Sequence, residues 1–186
     1  MKNKLKTILI YGSIFSLAVI LMSVIAYVFD LSESKAFGWV SVLVFIAALV
    51  FMQKTYRDNY YNGFASYGKL YGGTVLMMVV ASIIIYIYTY VFYKVIAPEQ
   101  IYKMLEVARA NLYENDQLSS EQINQSYQFM TKYVFTPMAM SLTGMITTFL
   151  EGLVFSLITC IFIKKKQDGF TEAMQGIGET ETDTDE

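Results

Sequence analysis

Four long apolar stretches, at residues 7–29, 36–53, 70–93 and 138–163, decide what this chain can fold into. A run of about 18 or more apolar residues is long enough to carry a helix through the hydrocarbon core of a bilayer. Inside lipid every backbone N–H and C=O must be bonded within the segment, so such runs fold as helices. The sequence therefore predicts an all-α integral membrane protein with four transmembrane helices, arranged as two antiparallel hairpins. The charged residues, 16% of the chain, fall almost wholly between the stretches. The exception is Glu151, near the midpoint of the fourth.

Lys2, Lys4 and Lys6 followed by an apolar run resemble a secretory signal peptide. The run is about 23 residues, longer than the roughly 7–15 of a signal peptide's apolar core, so it is read as an uncleaved first span. Lysine and arginine then set the orientation. They are in excess in the N-terminal segment, in the second connection (Lys54, Arg57 and Lys69 against Asp58) and after the last span (Lys164, Lys165, Lys166). Acids outnumber bases in the first and third connections. The expectation is a bacterial inner-membrane protein crossing four times, with both termini cytoplasmic. Tyrosines and phenylalanines, 15 and 13 in number, gather at the ends of the stretches, as interfacial belts do.

The first connection, residues 30–35, is so short that spans one and two must be antiparallel neighbours. The third connection, residues 97–133, is a helical insert. Ile101, Met104, Leu105, Ala108 and Leu112 repeat at three and four residues, which makes an amphipathic helix after Pro98. Asn115 and Asp116 break it. Ser119 and Gln122 form a capping box for a second helix, with Leu118 and Ile123 as its staple. Thr136 and Pro137 open the fourth span as N-cap and first helical residue. Residues 167–186 are an acidic tail expected to be disordered.

Helices in lipid associate through close backbone approach, which small residues allow. Gly144, Thr148, Gly152 and Ser156 recur every four residues on the fourth span. Gly68 and Gly72, with Gly73, begin the third, and Gly12, Ser13, Ser16, Ser23 and Ala26 mark the first. These stripes serve a compact bundle or a homo-oligomer equally.

A charged side chain at mid-bilayer costs roughly 2.5–3.5 kcal/mol on insertion scales. No lysine or arginine lies within a span to pair with Glu151, so it is expected to be protonated. Thr147, one turn earlier, and Gly144, two turns earlier, share its face, and Glu151 is expected to point into protein rather than lipid. Two roles compete. Glu151 is a proton or cation site, or it is a hydrogen-bonding clamp to a hydroxyl such as Ser16, Ser23 or Ser82.

No catalytic, metal or nucleotide signature is present. The chain has no histidine, and its one cysteine, Cys160, reads as a small packing residue inside the last span. No cofactor, metal or nucleic-acid partner is expected, and the basic residues are accounted for by orientation and anionic lipid.

The chain is similar to the bacterial membrane family called domain of unknown function 4199, found mainly in Bacteroidota. The likeness rests on Asn62-Gly-Phe-Ala-Ser-Tyr-Gly-Lys-Leu-Tyr-Gly-Gly73, on Tyr88-Thr-Tyr-Val-Phe-Tyr-Lys-Val-Ile-Ala-Pro-Glu99, and on the charged insert with a last span ending in Lys164-Lys165-Lys166. Ala97 stands where the pattern would place a capping aspartate. The resemblance extends over residues 3–166 and implies four spans in a bacterial inner membrane. It implies no activity and carries over no site residue. The reading that follows is a non-enzymatic scaffold, assembly factor or accessory subunit, with the lipid bilayer and a membrane-protein partner or a second copy as its contacts. A small proton- or ion-linked carrier or channel using Glu151 is the second reading. A lipid-acting membrane enzyme is the third and weakest, since no nucleophile–base pair or metal set is present.

Overall fold

The computed structural model describes residues 4–31, 34–113 and 119–165. The acidic tail, the break at Asn115 and Asp116, and Leu118 lie outside the described residues. Among those described, the fold is helical: α1 (Lys4–Val28), α2 (Lys35–Tyr60), α3 (Tyr67–Val91), α4 (Glu99–Tyr113), α5 (Ser120–Phe129) and α6 (Pro137–Ile163). Helices α1, α2, α3 and α6 are long and apolar enough to cross a membrane. They correspond to the four apolar stretches, but α2 continues past residue 53 through a polar turn to Tyr60.

The helix starts follow local side-chain chemistry. Ser34 accepts a bond from the Phe37 N–H at the start of α2, and Thr136 accepts from the Ala139 N–H ahead of Pro137. At α5 the Ser119 hydroxyl accepts from the Gln122 N–H, and the Ser119 N–H donates to the Gln122 side chain at 2.9 Å. These caps satisfy donors that a helix N-terminus otherwise leaves unpaired. Asn62 and Gly63, both at positive φ (53° and 90°), turn the chain between α2 and α3. These residue types tolerate that region of backbone space.

Two features carry no compositional signature. Residues 92–96, after α3, and 130–134, after α5, form single π-helical turns. They close with bonds from the Ala97 N–H to the Phe92 C=O and from the Phe135 N–H to the Met130 C=O, each 2.8 Å. Ala97, which replaces the expected capping aspartate, is fully buried behind the first of these turns.

Bonds define two ends of the bundle. At the terminal end, Arg57 donates to the Ile163 C=O at 2.7 Å, capping α6. Lys165 N–H donates to Ala65 C=O at 3.1 Å, and Asn59 donates to the Tyr11 hydroxyl at 2.6 Å. At the insert end, the Tyr27 hydroxyl donates to Glu99 at 3.0 Å, and its ring meets Phe92 edge-on at 5.2 Å. Arg109 of α4 lies 4.9 Å from the Tyr127 ring centre of α5, which ties the two insert helices by a cation–π contact. On α4 and α5 the buried apolar residues among those described are Ile101, Leu105 and Ile123.

Burial is uneven, and this shapes the functional site. On α3 and α6 buried residues run along most of the helix, and these two helices make the most extensive pairing. On α1 the buried residues stop at Ser16, and on α2 they begin only at Leu49. The core, with Phe15, Leu49, Met52, Tyr56, Met77 and Met78, therefore sits toward the terminal end. Toward the insert end α1 and α2 present no buried residue, although α1 stays joined to α3 through Ser23 and Tyr88 and through Tyr27 and Phe92.

Candidate functional site: an intramembrane carboxylate in a lateral cleft

The small-residue stripe of α6 turns toward α3. A Cβ added at Gly152 would strike the Met78 side chain, and one at Gly144 would rest 3.8 Å from the Thr89 hydroxyl. Thr148 and Ser156 are buried on the same stripe. On α3 the sequence expectation needs correction. A Cβ added at Gly68 or Gly72 would meet nothing within 4 Å, whereas one at Gly73 would collide with the Tyr56 ring. Successive residues are rotated by about 100°, so only Gly73 of the three faces α2. On α1, Gly12 is the close-packed position, with the Met77 carbonyl oxygen 2.7 Å from a Cβ placed there.

Glu151 also departs from expectation. It lies beside the stripe rather than on it, and it is exposed within the chain, as is Thr147 one turn earlier. Its carboxyl borders a cleft of about 370 Å³ between α1, α2 and α6. Among the described residues it makes no hydrogen bond or ion pair. The clamp between helices is not formed. The Ser16 hydroxyl bonds the Ser13 carbonyl and the Ser82 hydroxyl the Val79 carbonyl, each within its own helix. Of the three candidate partners only Ser23 lines the cleft, and it accepts a bond from the Tyr88 hydroxyl at 3.2 Å.

The cleft follows from the uneven burial. It begins at mid-bundle, where Phe155 and Ala48 line it, and extends to Ala26 and Phe37 near the insert end. On α2 the span from Phe37 to Ala48 is roughly 17 Å at 1.5 Å per residue. Its floor includes Phe45 and Phe155, 6.0 Å apart, and behind them Phe15 meets Phe45 edge-on at 5.1 Å, completing a ladder of rings. Ser41, whose hydroxyl donates to the Phe37 carbonyl at 3.0 Å, is the other polar lining residue. Glu151 is the only ionisable lining side chain among the described residues.

A second opening lies at the insert end. It has a volume of about 660 Å³ and is bordered by Asp30, Gln100, Lys103, Met104, Val107 and Phe135, among others. It joins the α1–α2 connection, α4 and the start of α6 around a mixed polar and apolar lining. Periodicity placed the apolar face of α4 but gave no hint that its neighbour Lys103 would border a groove.

Sequence reasoning also passed over Gln53. It is fully buried on α2, and among the described residues neither its carboxamide nitrogen nor its oxygen has a hydrogen-bond partner; the Tyr56 hydroxyl, one turn on, is likewise buried without one. An unsatisfied buried polar group costs about 1–3 kcal/mol. Gln53→Leu is therefore expected to stabilise the bundle by about 1 kcal/mol, read as a higher unfolding midpoint in mild detergent. A loss of stability would mean that the carboxamide is bonded after all. Cys160 is buried in the core. Among the described residues no three histidine, cysteine, aspartate or glutamate side chains group to hold a metal.

The family described as protein of unknown function (DUF4199) matches residues 10–165, and the chain belongs to it. No curated protein and no solved structure matches the chain.

Proposed function

We propose that this family member is a non-enzymatic membrane component, a scaffold, assembly factor or accessory subunit, in a bacterial inner membrane with both termini in the cytoplasm. The observation that carries the reading is the 660 Å³ groove at the insert end, outside the apolar stretches. Its lining mixes a carboxylate, a lysine, amides and apolar side chains. Polar groups that fix orientation beside apolar contact area are what partner recognition uses. Helix α4, which forms one wall, packs against the capped α5 and is bonded to α1 through Tyr27 and Glu99. A partner segment would thus meet a pre-formed surface rather than one it must order, which lowers the entropic cost of binding.

Crosslinking in native membranes, purification in mild detergent and mass spectrometry test this. The expected result is a reproducible second protein crosslinked to α4, and its loss with Val107→Glu, which places a charge at an exposed groove residue. Recovery of the chain alone, or of the same partner with Val107→Glu, would remove the reading.

One observation favours an ion-linked carrier as a second reading: among the described residues the Glu151 carboxyl, near the midpoint of α6, has no bonding partner. Intramembrane carboxylates of this kind often mark proton or ion paths. Glu151→Gln keeps the shape and removes the titrating group. A flux or growth phenotype that survives this change intact would exclude the carrier.

A further inference from the structure

We propose that the Glu151 cleft is a binding site for a lipophilic organic cation. The proposal rests on the carboxylate of the second reading, but it concerns binding and does not require transport.

The size of the cleft narrows the occupant first. About 370 Å³ falls within the roughly 300–1,000 Å³ of small-molecule sites. The lining then decides the chemistry. A neutral acyl chain would satisfy the apolar wall but leave the one ionisable group without a complement. An anion would find no countercharge at a neutral carboxyl and would be repelled by its ionised form. A small inorganic cation needs several oxygen ligands, and the cleft offers one carboxylate and two serine hydroxyls.

A bulky cation of diffuse charge meets every feature. Its charge pairs with Glu151, displacing the carboxyl proton. Its apolar body lies against Phe37, Phe45 and Phe155, whose ring faces attract weakly hydrated cations. The serines keep their own bonds, Ser41 to the Phe37 carbonyl and Ser23 from Tyr88, so the body of the ligand needs no polar groups. Tyr88 of α3 is the titratable side chain tied to the cleft through Ser23; α1 and α2 contribute no ionisable lining residue. The cleft lies between α1, α2 and α6 at a level where α1 and α2 present no buried residue. A membrane-dissolved ligand would reach it from the bilayer.

Tetraphenylphosphonium and tetraphenylborate are matched probes, alike in shape and opposite in charge. Equilibrium binding of each to the purified full chain in nanodiscs separates charge recognition from partition. The expected result is saturable binding of the phosphonium, one per chain, with the borate weaker by about tenfold or more, as a desolvated charge contact requires. Glu151→Gln is expected to abolish that preference. Equal binding of the two ions by the wild-type chain would overturn the proposal without reference to any variant. Phosphonium binding unchanged in Glu151→Gln would also overturn it. Neither result bears on the groove at the insert end, whose test is the crosslinked partner.

Discussion

Gly73→Val is expected to destabilise the bundle by about 3 kcal/mol, the upper range for overpacking a filled site. The reason is the Tyr56 ring, which occupies the space a side chain at position 73 would need. That ring cannot swing clear. It is fully buried, stacked on Tyr60 at 5.4 Å and met edge-on by Tyr61 at 5.5 Å. Relief must come from moving α2 away from α3, which disturbs the terminal end where the core is concentrated. Gly72→Ala is the control. Position 72 has open space around it, so alanine should raise stability by up to about 1 kcal/mol through helix propensity. Unfolding in mild detergent measures both. A neutral Gly73→Val would mean that α2 and α3 are not in contact at this level.

Phe15→Ala is expected to cost about 2–3 kcal/mol, at or below the 3–5 kcal/mol typical of phenylalanine truncation in a water-soluble core. Phe15 is only 1% exposed and anchors the ring ladder through Phe45. In water the penalty combines lost transfer energy with the cavity left behind. In a membrane the separated helix is already in an apolar solvent, so the transfer contribution largely vanishes and the lost packing remains. The same denaturation assay measures it. A loss below about 0.5 kcal/mol would show that the site collapses around the gap. The ladder also floors the cleft, so this variant should weaken phosphonium binding through Phe45 while leaving Glu151 in place.

The helices and their starts were legible in the sequence because their causes are local. Hydropathy over some 20 residues fixes a span, and Ser119 with Gln122, or Thr136 with Pro137, fixes a helix start by chemistry within one turn. The α6 stripe of Gly144, Thr148, Gly152 and Ser156 was legible for the same reason, since four-residue spacing puts all of them on one face.

What was not legible depends on how helices sit against one another. Gly68, Gly72 and Gly73 are equivalent as residues, and only the position of Tyr56 on another helix singles out Gly73. Glu151 was expected inside the bundle on its nearness to the stripe. About 100° of helix rotation per residue, together with the sparse burial of α1 and α2 at this level, places it in a cleft instead. The π-helical turns after α3 and α5 reflect how the insert joins the spans, and no residue type announces them. Gln53 stood at the polar end of its apolar stretch, where nothing marked it out. The continuation of α2 to Tyr60 buries it.

The most direct test of the open Glu151 cleft is carbodiimide labelling. N,N′-dicyclohexylcarbodiimide dissolves in the bilayer and adds to protonated carboxyl groups that it can reach from lipid. With the protein reconstituted in liposomes and read by peptide mass spectrometry, the expected result is an adduct at Glu151 that a water-soluble carbodiimide does not form. Glu151→Gln should abolish it. A Glu151 peptide left unmodified by the lipid-soluble reagent would mean that the carboxyl is closed off within the bundle, and the lateral cleft would be contradicted.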